Sequence, residues 1–200
     1  MSTDSSRKGI REFWNMGAPP RHAAGKTNYK RNMISIFLKS LGLLILGAVL
    51  GYVIYYFFSS QSAAIIDRFK ILQSFFGISQ YDQGMTFTRV AVTILLGNFI
   101  SILCYIGLGY GRLSLPVSFI SGLFISVFLF SGIIRHNTDT IPLEVIILIS
   151  IEMFYRILAV STGEYLSRYR LGSKIVPWVS LSIVFVLYIA AALYEVWQIF

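Results

Sequence analysis

The chain has one cysteine, Cys104, and it falls in an apolar run. An intramolecular disulfide and a cysteine-based zinc site are therefore both excluded. The only two histidines, His22 and His136, stand far apart in the sequence, so no metal cluster and no cofactor are expected. Charge is scarce as well. Charged residues make up 13% of the 200 positions, against roughly 25% in a soluble domain, so about half of the usual solvating surface is missing. Acidic residues are the scarcer sign, 9 against 17 basic, which leaves a net charge of +8. What fills the space is apolar: 56% of the chain, with 16% aromatic residues and a mean hydropathy of +0.69. Such a composition excludes disorder and an ordinary soluble fold. It predicts an all-α polytopic membrane protein.

Five apolar runs are long enough to cross about 30 Å of hydrocarbon at 1.5 Å per helical residue. They cover approximately 34–58, 88–110, 115–134, 141–165 and 175–198. Before them lies a basic arm, residues 1–33, too long and polar to lead a secretory signal. Pro19, Pro20 and Gly25 limit regular structure in it to a short helix around Ile10–Met16. Lys39 near the start of the first run can snorkel to the headgroups, and Tyr52, Tyr55 and Tyr56 mark its far end as an aromatic belt. Between the first two runs, Ile65, Phe69, Leu72 and Phe76 recur at helical spacing opposite Asp67, Lys70 and Ser74. That pattern predicts an amphipathic helix over about 62–76, capped by Gly77 and lying either in the interface plane or over the mouth of the bundle. Pro116, Pro142 and Pro177 each stand near the start of a span, where a missing N–H costs least. Gly47 and Gly51 form a small-xxx-small pair suited to close helix packing.

Charge sets the orientation. With the N-terminus inside, the inner side carries Arg7, Lys8, Arg11, Arg21, Lys26, Lys30 and Arg31 of the arm together with Lys39, Arg112, Arg168, Arg170 and Lys174, twelve in all. The outer side carries Arg68, Lys70, Arg89 and Arg135, four in all, and Arg156 lies within a span. This asymmetry predicts a multi-pass protein of the cell membrane with a cytoplasmic N-terminus and an external C-terminus. The same asymmetry accounts for the basic charge without nucleic acid, and it sets the arm to contact anionic lipid.

No phosphate-cradling glycine loop, nucleophile elbow or metal-spaced cluster is present, and neither the ends nor the loops suffice for a second core. The chemistry that the sequence does carry lies inside the spans. Glu144, Glu152, Arg156 and Glu164 share the fourth apolar run, where each ionised group near the bilayer centre costs about 2.5–3.5 kcal/mol. Glu152 and Arg156 are spaced i and i+4, acid first, which suits an ion pair along one helix. That pair is either a structural clasp or part of an ion path. Asn98 in the second run needs a partner, most simply a carbonyl or hydroxyl across a helix interface. Glu195 follows Ala190, Ala191 and Ala192 near the end of the last run, ready for a neighbouring helix or external water.

Taken in order, these residues resemble the stage II sporulation protein M family of membrane proteins. The likeness covers residues 34–200: a first span and amphipathic outer segment, Asn98 in a span ending in glycines, Pro142 and Glu144 after a short outer loop, Gly163, and the Ala190–Glu195 stretch. The family's usual Pro-His-Gly triplet is absent, since Leu143 follows Pro142 and His136 stands earlier. The resemblance implies a membrane protein that works through other membrane proteins. Two functions are therefore expected from the sequence. The first is a non-enzymatic scaffold or accessory subunit of a membrane complex. The second is a small transporter or channel subunit using Glu144, Glu152, Arg156 and Glu195.

Overall fold

The computed structural model describes residues 26–75, 86–136, 140–169 and 175–199. Among the described residues there are six helices: α1 Lys26–Phe57, α2 Ser59–Phe75, α3 Phe87–Tyr110, α4 Ser114–His136, α5 Leu143–Arg168 and α6 Ile175–Ile199. The short arm helix expected around Ile10–Met16 and the Gly77 cap lie outside the described residues.

Four helices are long and apolar enough to cross a membrane, over Asn32–Phe57, Phe87–Tyr110, Ser114–Ile133 and Ile175–Ile199. Five had been expected. The remaining helix, α5, is 26 residues long but carries Glu144, Glu152, Arg156, Glu164 and Arg168. It packs against α1, α3, α4 and α6, so neighbouring helices cover much of it. One boundary moves further than the others: α1 starts at Lys26, so the last eight residues of the expected arm are helical. No proline or glycine intervenes between Lys26 and the apolar run, and a helix propagates at little cost once its apolar part is nucleated.

Helix direction follows from which residues meet. A Cβ placed on Gly47 would strike Phe119 and Leu123, and one on Gly51 would strike Leu123 and Ser126. Numbers rise together, so α1 and α4 run parallel. Asn98 meets Arg156, and Gly109 meets Val160 and Glu164, so α3 and α5 are parallel too. Thr162 meets Ser180 and Leu95 meets Tyr188, which turns α6 against both α5 and α3. A tight turn reverses α3 into α4. The helices of span length therefore alternate in direction along the chain.

Two glycine contacts define two tight pairs. Gly47 and Gly51 on α1 face Gly122 on α4, where a methyl group on Gly122 would overlap the Leu44 carbonyl. Gly109 on α3 and Gly163 on α5 face each other's backbone in the same way. Around the second pair, Ile102, Tyr155, Ala159, Val184, Tyr188 and Ala191 form the α3–α5–α6 core, extended by Val90, Ile94, Ala192 and Val196. Ala191 and Ala192 thus serve close packing of α6.

Helix α2, Ser59–Phe75, forms close to the expected 62–76, and one of its faces rests on protein. It continues almost directly from α1, with Phe58 N–H bonded to the Ile54 carbonyl and Ser62 N–H to that of Phe58. It packs on α4 and α1, and among its described side chains Ser62 and Ile66 are buried, whereas Ile65 is exposed. The helix rests on protein along a face one residue removed from the expected stripe. The side chains of Phe69, Leu72 and Phe76 lie outside the described residues.

The α3–α4 turn has a specific backbone form. Leu113 N–H bonds the Leu108 carbonyl and Arg112 N–H bonds that of Gly109, a Schellman arrangement. Arg112 occupies its left-handed position, with φ 63°. Glycine is free of strain there, whereas an L-residue costs roughly 1–2 kcal/mol.

Candidate functional site

Two polar clusters lie on α5, separated by its glycine contact. The first joins three residues that the sequence singles out. Arg156 Nη2 lies 3.0 Å from Glu152 Oε2 along the same helix and donates across to Asn98 Oδ1 on α3, also at 3.0 Å. The Glu152 and Arg156 side chains are 14% and 17% exposed. Asn98 therefore finds a guanidinium, where a carbonyl or hydroxyl had been expected. The cause is plain: the α3–α5 register, fixed by Gly109 and Gly163, brings Asn98 level with about Glu152, within reach of the Arg156 side chain from one turn further on. Among the described residues, the Arg156 Nε and the buried Tyr155 hydroxyl beside this cluster have no hydrogen-bond partner.

The level of the cluster can be read against α6. The Thr162 and Ser180 hydroxyls meet at 2.6 Å. Because α5 and α6 are antiparallel, Arg156, six residues before Thr162, stands level with about residue 186 of α6. That is close to half-way between Trp178 and Trp197, both exposed.

The second cluster is at the far end of α5, and only one of its members, Glu164, was marked by the sequence. Glu164 is 3% exposed. Its Oε2 accepts from the Ser114 hydroxyl at the start of α4, and its Oε1 pairs with Arg168 Nη2 one turn later. Ser118 Oγ bonds the Ser114 carbonyl at 2.6 Å, which fixes the first turn of α4 beneath the carboxylate. Glu164 thereby ties the α3–α4 hairpin to α5. The i, i+4 spacing of Glu164 and Arg168 was a readable signal, but the serine partner fifty positions away was not.

The other expected site residues stay apart. Glu144 is exposed in the first turn of α5, where a negative charge suits the helix N-terminus. Glu195 is half-buried on α6. Gly47 and Gly51 belong to the α1–α4 contact. Cys104 is exposed on α3. Among the described residues no group of His, Cys, Asp and Glu has the arrangement of a metal site.

Comparison with family models, with curated proteins and with solved structures found no match to the chain. The likeness to stage II sporulation protein M rests on the residues quoted above. Of these, Asn98 lies in the first cluster, Gly163 in the glycine contact, and Pro142 and Glu144 at the exposed start of α5.

Proposed function

We propose that the protein spans the cell membrane five times, with α2 at its outer surface, and acts as a non-enzymatic scaffold or accessory subunit for other membrane proteins. One observation carries this reading. Four of the five charged residues of α5, Glu152, Arg156, Glu164 and Arg168, close on one another and on Asn98 and Ser114, and the fifth, Glu144, is exposed in its first turn. Between the two clusters, Ile157, Ala159, Val160, Ser161, Thr162 and Gly163 are buried, with Gly163 against the backbone of α3. Charges held by partners within the fold, with closely packed helix between them in which the Thr162 hydroxyl is itself bonded to Ser180, suit a rigid membrane module better than a conduction path. The residue likeness to stage II sporulation protein M points the same way.

The five-span reading draws on the alternating helix directions and on α6. Trp178 and Trp197 are 19 residues apart, about 28 Å along a helix, which suits two interfacial belts around a hydrocarbon core of about 30 Å. On that scale Arg156 is near the midplane. Arg112 and Arg168 share one end of the bundle with the start of α6, and the excess of Lys and Arg assigns that end to the cytoplasm.

Two experiments test the proposal. Purification in mild detergent should return stoichiometric partner chains, and recovery only as a lone chain under several gentle conditions would overturn the scaffold assignment. For topology, in a Cys104→Ala background a cysteine at Ser79 should react with an impermeant maleimide added to intact cells, and one at Ser5 should not. The reverse pattern would overturn the orientation. A transport reading draws on the unpartnered Arg156 Nε and Tyr155 hydroxyl; it requires ion or solute flux that Arg156 substitutions abolish in folded protein.

A further inference from the structure

We infer that the corner formed by the α3–α4 turn and the end of α5 binds the phosphate of an anionic phospholipid headgroup, with Arg112 and Arg168 as its cationic contacts. The inference rests on the membrane-spanning reading.

Arg112 is the first observation. The turn itself is served best by glycine at its left-handed position, yet the glycine stands one residue earlier, at Gly111, and an arginine takes the strained place. Arg112 is exposed. Among the described residues no carboxylate pairs with it. Neither the backbone nor an ion pair among the described residues accounts for a cation there.

Arg168 is the second. Ser114, two residues after Arg112, donates to Glu164, and Glu164 pairs with Arg168. Gly109, at the other side of the turn, lies against the Glu164 backbone nitrogen. The turn and the end of α5 are thus one corner. Glu164 meets Nη2 of Arg168, whose side chain is 49% exposed, so about half of this planar, oriented side chain remains accessible. Its guanidinium fork matches phosphate oxygens better than an ammonium does.

Depth is the third. Thr162 is level with Ser180, so Glu164 stands level with about Trp178 of antiparallel α6. Arg168 is one helical turn further out, roughly 6 Å. With Trp178 at the edge of the hydrocarbon, that is the layer of headgroup phosphates.

The test uses the full chain purified in neutral detergent, with phosphatidylglycerol, phosphatidylcholine and inorganic phosphate added separately. Native mass spectrometry should show phosphatidylglycerol retained in preference to phosphatidylcholine, and its addition should raise the unfolding temperature. Arg112→Gly should unfold at the same or a higher temperature than the parent in detergent alone, because the strain is gone. Its apparent affinity for phosphatidylglycerol should fall about fivefold, the share of one cation at a membrane surface. Undiminished affinity in that variant would overturn the inference. Equal protection by inorganic phosphate would overturn the lipid assignment and make the ligand a soluble phosphate. Alkaline carbonate extraction addresses the spanning reading alone: release of the chain from membranes would overturn that reading whatever Arg112→Gly does.

Discussion

Arg156→Leu alone is expected to destabilise the protein by about 3–5 kcal/mol, the usual cost of breaking a buried ion pair. The Glu152→Leu/Arg156→Leu double variant is expected to lose clearly less. Removing only the guanidinium leaves the Glu152 carboxylate without its cation and Asn98 without its donor. Removing only Glu152 leaves Arg156, whose side chain is 17% exposed, with the Asn98 oxygen alone. The double substitution removes both charges and leaves a single amide to find a new partner. Asn98→Ala should cost only about 0.6–1.7 kcal/mol, in the range measured for hydrogen bonds between helices in bilayers. Unfolding in graded denaturing detergent would measure the four values and the coupling between the pair. Additive single and double effects would mean that water reaches the cluster, and they would return weight to a transport role.

Much of this cluster was legible in one dimension. The order and spacing of Glu152 and Arg156 describe a contact within one helix, and a helix has only one geometry for i and i+4. The partner of Asn98 was not legible, because it depends on how far α3 slides along α5. Glycines set that register. Gly109 reads as part of a turn-forming run with Gly107 and Gly111, and only the folded chain separates Gly109, pressed against Val160, from Gly107, which has open space. The same limit applied to α2. Periodicity picked out Ile65, yet Ile66 is the residue that meets protein, since an apolar stripe does not say whether its neighbour is lipid or another helix.

The span boundaries were read more closely. The apolar runs ended within about two residues of α3, α4 and α6, where Tyr110, His136 and Ile199 close the helices. Long stretches of high hydropathy leave little freedom about where a helix begins and stops. Helix α5 shows what that reading leaves out. Its charges interrupt the apolar run at Glu152 and Arg156 and end it at Glu164 and Arg168, and each of these four is answered by another of the four, with Asn98 and Ser114 added from neighbouring helices. Sequence locates such charges, but the account of how they are tolerated is a tertiary one.

The glycine contact between α3 and α5 should be, with that between α1 and α4, among the least forgiving places in the fold. A methyl group on Gly163 would overlap the Ile106 carbonyl and crowd the Tyr110 nitrogen, and one on Gly109 would overlap the Val160 carbonyl. These obstacles are backbone, so no rotamer change relieves them and the helices must move apart. Gly163→Ala is expected to cost at least the 1–3 kcal/mol typical of overpacking, and Gly163→Leu to prevent recovery of folded protein. Gly97 and Gly107 supply the control. They are exposed on the same α3 with nothing near the position of a Cβ, so Gly97→Ala and Gly107→Ala should be neutral or add up to about 1 kcal/mol through helix propensity. Separation at Gly163 also has a remote effect. It would draw Asn98 from Arg156 on one side of the contact and Ser114 from Glu164 on the other. Gly163→Ala should therefore reduce the cost of Asn98→Ala, because the bond that Asn98 makes is already stretched. Full additivity of those two substitutions would mean that the polar clusters hold their register without the glycine contact, and the order of cause argued here would reverse.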